Sequence, residues 1–173
     1  MKLIEGAAGR IAEALATTSS PWASVYSHHR AVSTAVICLH VAPLVFGAGA
    51  AFVMDRTTLG ASRGGPIERI RHLQALARVH RVVLGGLALS FASGLLMFLS
   101  DVTTFLGALV FWVKIALVAL LLANGFLLTR TERALLRASN DDALWQRMRT
   151  LSVASAVLWL ATTFSGVALM QFA

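Results

Sequence analysis

The chain is 173 residues long, 57% hydrophobic and only 13% charged, with a formal net charge of +7. A soluble domain carries about 25% charged residues; here the charges are gathered between apolar runs that reach the ~20 residues needed to cross a bilayer. This excludes a soluble globular protein, and arginines flanking such runs point to an acidic lipid surface, not to nucleic acid, as the partner of the positive charge.

The opening segment, MKLIEGAAGRIAEALA, is interrupted by Glu5, Arg10 and Glu13 and does not read as a secretory signal. Ile4, Ala8, Ile11 and Leu15 recur at helical spacing. They predict an amphipathic helix over residues 1–20, lying in the membrane interface. Residues 21–173 then read as a transmembrane unit of four spans. Ser20 as an N-cap and Pro21 at the first helical position mark its entry, with Trp22 and Tyr26 at headgroup level.

The first span covers about residues 31–54 and contains Pro43, which frees a carbonyl one turn back, near Leu39. A loop rich in arginine follows: Arg56, Arg63, Arg69, Arg71, Arg78 and Arg81. Its second half, GPIERIRHLQALARVHR, starts on Gly65 and Pro66 and reads as an amphipathic helix running unbroken into the second span, about residues 82–99. After the short turn SDVTT come the third span, about residues 105–128, and a second basic loop with Arg130, Arg133, Arg137, Arg147 and Arg149. The fourth span covers about residues 151–172. The positive-inside rule puts both arginine-rich loops in the cytoplasm and both termini outside. Small residues, among them Gly47, Gly86, Ser90, Ser93 and Gly94, let helices approach closely in lipid. The expected fold is all-α: an integral membrane four-helix bundle with an N-terminal amphipathic helix.

Two polar residues interrupt the spans. His40 and Lys114 lie at similar depth, roughly 13 Å below the outer surface at a rise of ~1.5 Å per residue. A basic group there is costly in lipid and is expected to face the bundle interior. Three chemistries fit. His40 can ligate haem iron, with Lys114 as second ligand or propionate partner, Gly47 opening an apolar slot and Met97 close to the site. His40 can help to hold copper, with Cys38 or methionines nearby. Or the pair is structural, hydrogen-bonded to carbonyls and hydroxyls, with Lys114 snorkelling outwards. His80, with His72, is a weaker candidate for a second site, because the topology sets it far from His40 in depth. His28 and His29 stand outside the first span as an exposed pair. Asp55 is expected to fix helix ends by pairing with a basic neighbour. No phosphate loop, acid pair or nucleophile–base arrangement marks a hydrolase.

The stretches LHVAPLVFGAGAAFVMDRTTLG, FASGLLMFLSD and FWVKIALVALLLANGFLL resemble a group of small bacterial four-span proteins. More distantly they are similar to CopD-type copper-resistance domains and to HemJ-type protoporphyrinogen oxidases. The resemblance runs from His40 to about Met170. It implies a haem b carried by the bundle, His40 matching the histidine of the first span and Lys114, more loosely, the lysine of the third. The expected reading is a bacterial inner-membrane protein that passes electrons to or from a partner, as a membrane oxidoreductase does, with quinone or porphyrin as the small-molecule partner and no choice between them in the sequence. The alternatives are a non-catalytic accessory subunit of a larger membrane complex, a homo-oligomer among them, and CopD-like copper handling.

Overall fold

Six helices follow one another: α1 (Lys2–His28), α2 (Arg30–Ala61), α3 (Pro66–Ser100), α4 (Val102–Gly107), α5 (Leu109–Leu135) and α6 (Asp142–Phe172). The computed structural model describes the backbone of residues 2–172 and the side chains of residues 9–171 apart from Ala77 and Met170. The stripe positions Ile4 and Ala8, and Met170, therefore lie outside the described side chains. The helices α2, α3, α5 and α6 are each long and apolar enough to cross a membrane.

The helices outrun the expected spans, and most of the arginine-rich segments are helical. The α3 helix starts at Pro66, its first-turn proline costing no hydrogen bond there. It continues without interruption through the second span. Beyond its span α5 runs on to Leu135, and α6 begins at Asp142, so only residues 136–141 connect them. Asp141 holds that start: its Oδ1 accepts from the Ala143 and Leu144 amides at 2.9 and 3.1 Å. At the opposite end Asp101 accepts from the Thr104 amide at 3.2 Å and opens the single short helix α4.

At the N-terminus the structure differs from the expected boundary. Helix α1 runs straight through Ser20 and Pro21 and stops at His28; the extended residue is His29, with φ −112° and ψ 92°. The imidazoles explain the stop. Nδ1–H of His28 donates to the Ser24 carbonyl at 2.8 Å, and that of His29 to the Val25 carbonyl at 3.1 Å. These carbonyls belong to the last turn, and that of Val25 also accepts from the His29 amide at 3.1 Å. Helix α1 lies against α3 and α4, pinned by the Trp22 indole, which donates to the Leu96 carbonyl at 2.7 Å.

The four long helices form a ring with three tight seams. The closest pairings are α2 with α3 and α5 with α6; α2 also packs on α6. The α3 and α5 backbones stay apart. Among the described residues side chains join them towards the two ends. At the end carrying the arginines, called here the basic end, Leu73 and Leu76 share a buried cluster with Leu128, Leu135, Trp145 and Met148. At the far end Phe98 stacks on Phe111, ring centroids 5.5 Å apart.

Burial follows the two solvents. The dry apolar core is the basic-end cluster, beyond the expected spans. Within the spans the outward faces are apolar, as at Phe46, Phe126 and Phe164, and many interior positions are small or hydroxylated: Ser90, Ser93, Ser152, Ser155, Thr162 and Ser165 are all buried. Lipid is as apolar as leucine, so close backbone packing and interhelical hydrogen bonds associate these helices. Gly86 shows the closeness: a Cβ there would come within 3.0 Å of the Pro43 carbonyl oxygen.

Candidate functional site

His40 comes from the middle of α2 and reaches across to α3. Its Nδ1–H donates to the Ser90 carbonyl at 2.8 Å, while the Ser90 hydroxyl donates to the His40 carbonyl at 2.8 Å. That carbonyl is next to the one of Leu39, which Pro43 leaves without its helical donor. The Ser93 hydroxyl stands 3.4 Å from Nδ1. Gly94 completes the seat: a Cβ at that position would come within 2.9 Å of the imidazole Cε1. With Nδ1 committed to a carbonyl, the ring is fixed in one tautomer and orientation. Its Nε2 carries the lone pair and has no hydrogen-bond partner among the described residues.

Lys114 projects from α5 toward α6, where its Nζ would lie 3.4 Å from a Cβ at Gly166. It is half-buried, no hydrogen bond or ion pair engages its ammonium among the described residues, and it stands close enough to His40 for their charges to interact. One turn earlier on α6, the buried Thr162 hydroxyl oxygen has no partner. Met97 lies one turn on from Ser93, half-buried. Gly47, two turns below His40, meets the Trp159 ring and the Val83 carbonyl, so its missing side chain makes room for α6 and α3. Cys38 is exposed, and two positions from His40 on a helix it faces another way. Among the described residues no three histidine, cysteine or acidic side chains gather as a metal site.

The other two candidate histidines lie toward the basic end. His72 is buried, its Nε2–H donating to Thr58 Oγ1 at 2.8 Å while that hydroxyl donates to the Met54 carbonyl. It also packs against Trp145, over whose ring Arg69 lies while bonding Asp142 at 2.9 Å. His80 pairs through Nδ1 with Glu132 Oε2 at 2.8 Å, across the α3–α5 seam.

Between these levels a cavity of about 560 Å³ opens along the α3–α5 seam. Leu84, Leu87, Leu121, Leu122 and Phe126 give it apolar walls, and Trp159 closes its inner side. Its polar groups are Asp55, Thr58, Ser152 and Ser155 on the α2–α6 side and His80 on the α3 side, with Arg130 and Arg133 nearest the basic end. Asp55 departs from the expected role. It is 8% exposed and faces the Ser152 and Ser155 hydroxyls instead of pairing with an arginine; among the described residues its Oδ2 and the Ser152 Oγ are buried without a well-formed hydrogen bond. The signal was present in the spacing, since Gly47, Ala51, Asp55 and Thr58 form one stripe on α2 and Ser152, Ser155 and Trp159 another on α6. No family model, characterised protein or solved structure matches this chain.

Proposed function

We propose that the chain is a b-type haem protein of a bacterial inner membrane that carries electrons to or from a partner, with His40 as axial ligand. The observation that carries this reading is the His40 imidazole, whose Nδ1–H is fixed on the Ser90 carbonyl while Nε2 keeps a free lone pair. Metal-ligating histidines are oriented in this way, by a hydrogen bond from the other ring nitrogen. Lys114 supplies an unpaired ammonium on the neighbouring wall, suited to a propionate or to the second ligand position. A bound haem supplies one-electron redox chemistry. Ser90 and Ser93 hold the imidazole in register, Gly94 leaves it a flat seat, and the lipid-facing span surfaces keep water away. By the positive-inside rule the basic end is cytoplasmic and both termini are outside.

The test is a visible spectrum of the protein purified in mild detergent, reduced minus oxidised. A Soret band is expected, lost in His40→Ala and shifted or weakened in Lys114→Ala. A full haem band in His40→Ala would overturn the ligand assignment. A colourless protein copurifying with larger subunits would mark an accessory subunit, and copper without haem a metal-handling protein.

A further inference from the structure

The seam cavity is a second feature, remote from the His40 seat, and its polar groups are specific in kind. Asp55 and Ser152, each more than nine-tenths buried, both line it, and Asp55 brings it a carboxylate that faces Ser152 and Ser155. On the other side His80 donates from Nδ1 to Glu132, which leaves Nε2 as an acceptor. The cavity thus offers a carboxylate acceptor from α2 and an imidazole acceptor from α3, separated by apolar walls and flanked by an aromatic ring, Trp159. Its volume is in the range of small-molecule sites. Its long side lies along the seam where the α3 and α5 backbones stand apart, between Leu84 and Phe126, which are both exposed on the surface expected to face lipid.

We infer that this cavity binds the ring of a lipid-soluble quinol, entering sideways from the bilayer. The acceptor pair selects the ligand. A quinol carries two hydroxyl donors on opposite edges of a flat apolar ring, one for the Asp55 carboxylate and one for His80 Nε2. Its isoprenoid tail leaves through the seam. An acyl chain has no donor for either acceptor. A phosphate headgroup suits Arg130 and Arg133 but leaves Asp55 and His80 Nε2 without a donor. A cationic amphiphile would have to share the cavity with Arg130 and Arg133. This assignment gives the electron-transfer reading its small-molecule partner, yet it stands on the geometry of the seam and not on His40.

The experiment uses the full chain in lipid nanodiscs, dialysed anaerobically against a short-chain ubiquinol and, separately, its oxidised quinone. Saturable binding of one quinol per chain is expected, at least tenfold tighter than the quinone. Asp55→Leu, which removes the acceptor in a side chain of similar shape, is expected to abolish that preference. A side chain added at Gly125 meets open space on the cavity wall, so Gly125→Phe is expected to fill the cavity and abolish binding while the helical circular dichroism stays unchanged. Absence of saturable binding, equal or tighter binding of the quinone, or binding unchanged in both variants would overturn the proposal. Haem content is read on the same samples. Quinol binding without haem fails the haem reading alone, and haem without quinol binding fails this one alone.

Discussion

At the scale of single residues, the chemistry rests on which nitrogen of each imidazole is occupied. Five histidines occur in the chain, and in each the structure commits one nitrogen: Nδ1 to a helical carbonyl in His28, His29 and His40, Nδ1 to a carboxylate in His80, and Nε2 to a hydroxyl in His72. The first two cap a helix, the last ties α2 to α3, His40 keeps a second nitrogen without a partner among the described residues, and His80 lines the seam cavity. That His40 needed an interior partner was legible from its position in an apolar run. Which partner it found was not, because that depends on the rotation of α3 against α2, and small residues recur on several faces of both helices. The His40 seat gives a direct prediction. Gly94→Ala pushes a methyl group into an imidazole that the Ser90 carbonyl holds in place. A destabilisation of about 1–3 kcal/mol is expected, measured by thermal unfolding in detergent, together with a displaced Soret maximum in the loaded protein.

At the scale of elements, apolar periodicity located the four spans but not their ends. A hydropathy reading stops where arginines begin, whereas a helix stops where its backbone loses partners. Arg130 and Arg133 on α5, and Arg147 and Arg149 on α6, are good helix formers, and the backbone carries on beneath them. Pro21 failed as a start signal for a related reason, since the preceding turn was already helical and no competing cap intervened. The α2–α3 seam yields a paired prediction at adjacent positions. Gly86 abuts the Pro43 carbonyl, whereas a Cβ at Gly85 meets nothing within 4 Å. Gly85→Ala is expected to be neutral or to stabilise by up to about 1 kcal/mol through helix propensity. Gly86→Ala must push the α2 and α3 backbones away from each other and is expected to cost about 1–3 kcal/mol. Unfolding of the two variants in graded denaturing detergent distinguishes them, and equal behaviour would refute the tight α2–α3 approach.

At the scale of the whole molecule, the sequence made the all-α class and the four spans plain, and the structure agrees. The unequal ring of helices was not legible, because nothing in an apolar pattern tells which two neighbours will stand apart. The asymmetry of charge is the readable feature, and it carries the proposed orientation. In a Cys38→Ser background, an impermeant maleimide applied to intact spheroplasts is expected to label Thr103→Cys and to spare Asn140→Cys until the membrane is permeabilised. The reverse pattern would invert the bundle. One consequence follows from the three tight seams and the fourth that is joined towards its ends. The molecule is built as two hairpins, α2–α3 and α5–α6, bound along α2 and α6 like two covers on one spine. Their free margins are clasped by Phe98 on Phe111 at one end and by His80, Glu132 and the leucine cluster at the other. On the proposed quinol site, a guest passing between the margins leaves the spine intact, so entry and exit are expected to leave the packing of α2 on α6 unchanged.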